Sequence, residues 1–76
     1  MAKMPQLSAN ELIKIFKKIG FEVIRQNGSH VFLRHLDGRT TVVPNHPAEK
    51  LDRGLLLKII KKDIQISRDE FENLIK

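Results

Sequence analysis

The sequence predicts a small α+β domain: a helix, a three-stranded antiparallel sheet, a second helix and a short closing helix. Three observations carry this. Apolar residues recur at helical spacing on both sides of the middle of the chain. Capping boxes open the first and last of those stretches. Between them, two turn dipeptides, Asn27-Gly28 and Asp37-Gly38, divide the middle into three strand-forming runs. With 76 residues the chain makes one domain, 1–76, with a thin core.

Ser8-Ala9-Asn10-Glu11 reads as the first capping box, followed by Leu12, Ile13, Phe16 and Ile19 on one helical face. Lys17 and Lys18 suit the negative end of that helix, and Gly20 stops it, giving a helix over about Ala9–Ile19. Phe21–Gln26 is the first strand, with Phe21 and Val23 on one face and Ile24 on the other. Asn27 and Gly28 both tolerate positive φ and close the first hairpin. His30–His35 is the second strand and Arg39–Val43 the third, which Pro44 ends because proline cannot donate to a ladder. Asn45–Asp52 is a loop containing His46-Pro47. Leu55, Leu56, Ile59 and Ile60 then mark a helix over roughly Arg53–Lys62, with Lys58, Lys61 and Lys62 on its polar side. Ser67-Arg68-Asp69-Glu70 caps the last helix, which carries Phe71, Leu74 and Ile75. Three strands wet on both faces are not stable, so the helices should cover one face and leave the other open.

The charge is uneven. Residues 1–62 hold 12 Lys and Arg against 5 Asp and Glu, whereas residues 63–76 hold 2 against 4. A basic body of this size attracts phosphate backbones. The absence of cysteine excludes a disulfide framework and any cysteine-based zinc site, and it suits a reducing cytoplasm. No run approaches the ~20 apolar residues of a membrane span, and Met1–Gln6 does not read as a signal peptide. A core this thin leaves no room for an elaborate cofactor cradle, so no cofactor is expected.

His30 is the candidate for chemistry. Imidazole titrates near neutrality and can both take and give a proton. It follows Gly28-Ser29 at a hairpin, where a glycine allows close approach of a ligand. By spacing alone, a lone histidine reads as an ordinary strand residue before it reads as a catalytic one. His35 lies on the opposite strand face, and neither His35 nor His46 has neighbours at metal-ligand spacing. His30, Phe32 and Arg34 share parity, which places an imidazole, an aromatic ring and a guanidinium on one face. That resembles surfaces that bind single-stranded RNA, although Leu33 is as apolar as Phe32 and the pattern leaves either face for the core. Arg25, Arg34 and Arg39 suit phosphate by their paired donors, with Lys58 as a further cation.

Taken together, Gly28-Ser29-His30, the strand through His35, Asp37-Gly38-Arg39-Thr40-Thr41-Val42-Val43-Pro44 and His46-Pro47 resemble the HicA toxins. Leu12–Phe21 and the Gly54-opened helix are also similar to that family, so the resemblance covers about residues 7–75. The chain differs in having Leu55 where the family often has Thr, and Leu36 where it often has Pro. The resemblance implies a fold like that of a double-stranded-RNA-binding domain and a metal-free endoribonuclease acting on mRNA. It also implies a HicB-type antitoxin as partner. Its catalytic histidine maps to His30 and the preceding glycine to Gly28. RNA contacts are expected from Gly28, Ser29, Arg25, Arg34 and Lys58. A non-catalytic RNA-binding module is the alternative reading, and a pure protein-interaction module with a free sheet edge is a third.

Overall fold

The first helix, α1 (Ala9–Lys18), begins where Ser8 and Glu11 close the expected capping box. Ser8 Oγ accepts from the Glu11 N–H (3.2 Å), and Glu11 Oε1 accepts from the Ser8 N–H (3.0 Å). The Ser8 backbone and hydroxyl hold the Glu11 carboxyl below its ordinary pKa. α1 buries Ala9, Leu12, Ile13, Ile15 and Phe16. These contacts belong to a computed structural model that describes residues 6–46 and 50–75.

The sheet is an antiparallel meander, β1 (Phe21–Asn27), β2 (His30–His35) and β3 (Thr40–Pro44), with β2 in the centre. Val31 and Leu33 on β2 point into the core together with Val43 and Thr41 on β3. α2 (Arg53–Lys58), the π-helical segment that continues it (Ile59–Ile64) and α3 (Arg68–Ile75) complete the core with Leu56, Ile60, Ile64 and Phe71. The helices therefore cover the Val31–Leu33 face and leave the His30–Phe32–Arg34 face open, which decides what the sequence pattern left open.

Four expectations change in detail. The first hairpin loop is Gly28-Ser29, flanked by the Asn27–His30 pair, and only Gly28 takes positive φ (62°). That is the II′ arrangement, with glycine at the first central position, rather than two left-handed residues. The third strand begins at Thr40 because Arg39 belongs to the Asp37-Gly38 turn, where its carbonyl accepts from the His35 N–H (2.8 Å). The second helix runs two residues past Lys62 and widens to π pitch. The wider turn lets Ile59, Ile60 and Ile64 all reach the core while Asp63 accepts from the buried Thr41 hydroxyl (3.0 Å). It ends at Gln65 in the left-handed region. Finally, the stretch expected to be a plain loop returns to pair Lys50 with Ser8, and the Leu51 N–H donates to the Leu7 carbonyl. Pro47, and with it part of the His46-Pro47 step, lies outside the described residues.

His35 ties α1 to the sheet. Its Nε2–H donates to the Ile19 carbonyl (3.0 Å), and its Nδ1 accepts from the Asp37 N–H (3.1 Å). A carbonyl can only accept and an amide can only donate, so the two bonds together select the Nε2–H tautomer. Gly20, at φ 103°, lies against this ring, and a Cβ there would stand 2.7 Å from His35 Nε2. Gly20→Ala is expected to destabilise the domain by more than about 1 kcal/mol. Gly28→Ala should cost less, since nothing lies within 4 Å of its Cβ position. Urea unfolding midpoints of the two variants check the order.

Candidate functional site

Each row of the sheet contributes residues to the open face through its register. Asn27, His30 and Pro44 form one row, Arg25, Phe32 and Val42 the next, and Glu22, Arg34 and Thr40 the third. His30, Arg25 and Arg34 are exposed, and Phe32 is half-buried. The guanidinium carbon of Arg25 stands 4.5 Å from the centroid of the Phe32 ring.

Simple alternation from Phe21 would turn Arg25 toward the core. The β-bulge between Val23 and Arg25 adds Ile24 and shifts the register by one, so Arg25 pairs with Phe32 instead of facing the helices. β1 is an edge strand, which leaves Val23 and Ile24 half open.

The turn end of the sheet gathers further polar groups. β3 ends at Pro44 opposite His30, and the Asn45 N–H donates to the Ser29 carbonyl (2.6 Å). The Asn45 side chain donates to Asn10 in the first turn of α1 (3.1 Å). His46, which is exposed, therefore leaves the sheet at the same end as His30. The Gln26 side chain donates to the Gly28 carbonyl (3.2 Å) and helps hold the turn.

The other sequence candidates separate. Lys58 lies across β3, lining a groove with Thr40, Val42 and Asp63. Arg39 is a structural residue. Its Nε donates to Asp37 (2.8 Å), its Nη1 to the Ile64 carbonyl, and its guanidinium lies over Phe21 (5.2 Å). The Arg39 backbone N–H, and after it the Arg39 charge, hold the Asp37 carboxyl below its ordinary pKa. Among the described residues, no three His, Asp or Glu side chains gather as a metal site. Asn45 was absent from the sequence candidates. An Asn after Pro carries no signal of its own, and only the paired ends of β2 and β3 place it beside the turn.

A family model described as the HicA toxin of bacterial toxin–antitoxin systems matches residues 9–66. This chain belongs to the HicA toxin family. The match runs from the first residue of α1 to just past the π segment, so it includes the entire sheet and every site candidate. As a HicA toxin, the chain has a cognate antitoxin as its implied partner. A search of curated proteins gave no match. Among the described residues, no helix of the toxin is long and apolar enough to cross a membrane.

Proposed function

We propose that this toxin is a metal-independent endoribonuclease that cleaves mRNA in the cytoplasm, with His30 as a general acid–base group, and that a HicB-type antitoxin restrains it. The observation that supports this best is the placement of His30. It is exposed beside a glycine hairpin on an open sheet face that also carries Arg25, Phe32 and Arg34. An imidazole so placed can meet a ribose and its phosphate without any cleft.

The reaction is a transesterification. A base removes the proton from a ribose 2′-OH, and the 2′-oxygen attacks the adjacent phosphorus. The bond from phosphorus to the 5′-oxygen breaks, and that oxygen takes a proton. One histidine serves one proton transfer per step, so His30 acts on either the 2′-oxygen or the leaving oxygen, and a second group completes the pair. Arg25 and Arg34 supply the charge-assisted donors that phosphate needs, the Gly28-Ser29 turn lets the backbone come close, and Lys58 extends the basic surface beyond β3.

The test is cleavage of a single-stranded RNA by the purified toxin in excess chelator. Undiminished cutting is expected, with fragments ending in 2′,3′-cyclic phosphate and 5′-hydroxyl. Binding without cutting would instead support a non-catalytic RNA-binding module, and 5′-phosphate ends would exclude attack by the 2′-oxygen.

A further inference from the structure

We propose that the Phe32 ring and the Arg25 guanidinium over it form a base-stacking platform, which makes unpaired RNA the substrate and seats one base next to His30. This rests on the ribonuclease reading above and names the form of RNA it acts on.

The aromatic inventory points to this ring. The chain has four Phe and no Trp or Tyr. Phe16, Phe21 and Phe71 are buried in the core. Phe32 alone stands on the solvated face, flanked in its strand by Val31 and Leu33, which turn inward. The core is thus filled without it. Arg25 reaches the ring only because the Ile24 bulge turns that strand segment over. The guanidinium leaves part of the half-buried ring bare, so a base can stack on ring and guanidinium together.

The spacing matches a strand of nucleotides. Residues two apart on one strand face stand about 6.6 Å from each other. His30 and Arg34 each lie one such step from Phe32, on opposite sides of it. This is about the stride of successive nucleotides in an extended RNA. A base on the Phe32–Arg25 row would place one flanking phosphate toward His30 and the other toward Arg34. A duplex cannot use the platform, because its bases already stack on one another and are closed to side chains.

Phe32→Trp introduces the only tryptophan of the chain and so gives a direct report on stacking. Binding is read by polarisation of a labelled, unstructured oligoribonucleotide, free or annealed to its complement, with the toxin carrying His30→Ala to prevent cutting. The Phe32 parent is expected to prefer the single strand. Phe32→Leu should weaken single-strand binding roughly 5- to 150-fold, with duplex binding and melting temperature unchanged. Phe32→Trp should keep the affinity, and the single strand should quench its emission. Arg25→Lys, which keeps the charge and loses the flat surface, should fall between them.

Equal single-strand affinities for the Phe32 parent and a folded Phe32→Leu overturn the platform, and leave the row as a sheet fastening or a protein-docking patch. A preference for duplex, or an unquenched tryptophan, overturns it as well. If Phe32→Leu does not fold, Phe32→Trp quenching decides alone. The two failures are distinguishable. RNA cutting by the unaltered toxin with no effect of Phe32→Leu on affinity removes the platform only. Platform-dependent binding with no cutting removes the ribonuclease reading only.

Discussion

His30→Ala should lower RNA cleavage roughly 10²- to 10⁴-fold and leave the fold intact. The size follows from the role. A positioned acid or base lowers the barrier by about 3–5 kcal/mol, and water can stand in for it only weakly. The selectivity follows from the location. His30 is exposed at the end of β2, opposite Asn27 and Pro44, and it fills no part of the core. Substitutions at such surface positions usually change stability by no more than about 0.5 kcal/mol. The expected result is therefore a protein with the parent's unfolding midpoint and near-parental RNA affinity that no longer cuts and no longer arrests growth. His35→Ala should behave in the opposite way. That ring closes the junction between Ile19 and Asp37, so its loss acts on stability first. A folded His30→Ala that cleaves as fast as the parent would transfer the chemistry elsewhere, with His46 at the same end of the sheet the first to examine.

The elements were legible in the sequence because each had a local cause. The Ser8–Glu11 box, the Gly28 turn and the Asp37-Gly38 turn act over two to four residues, and the structure forms all three. The parity of His30, Phe32 and Arg34 also held, since β2 is regular along its length. Three features were not legible, and each is set by contacts across the fold. Which face of β2 is buried depends on where the helices dock, because Phe32 and Leu33 are equally apolar. The Ile24 bulge overrides the alternation that Phe21 and Val23 set up, and nothing in Glu22-Val23-Ile24-Arg25 marks it. The π pitch of Ile59–Ile64 arises from the need to bury three isoleucines while Asp63 meets Thr41. Arg39 illustrates the same limit. Its charge suggested phosphate, but Asp37, Ile64 and Phe21 already hold it.

Phe71→Ala should be among the most damaging substitutions in the chain, although Phe71 lies outside the family match to residues 9–66. The ring is fully buried in the same core as Phe16, Leu33 and Ile60. α3 brings it there from a capping box in which Ser67 Oγ accepts from the Glu70 N–H (3.1 Å), and Leu74 and Ile75 pack beside the same core. Truncating a buried phenylalanine costs about 3–5 kcal/mol, from lost burial and from the cavity left behind. A domain of this size holds only about 4–11 kcal/mol in all. The variant should thus lose a large part of its stability, with a fall in melting temperature on the order of 12–40 °C. Its loss of activity should track the unfolded fraction, and cleavage at low temperature should recover toward the parent rate, which no variant of His30 would do. Urea and thermal unfolding monitored by far-ultraviolet circular dichroism measure the loss directly. A cost below about 1 kcal/mol would mean that α3 is an appendage and that the α1–sheet–α2 unit stands without it. The burial of Phe71 argues the reverse. In so small a protein, the helix outside the matched segment supplies one of the three largest side chains that close the core beneath the sheet whose open side carries His30.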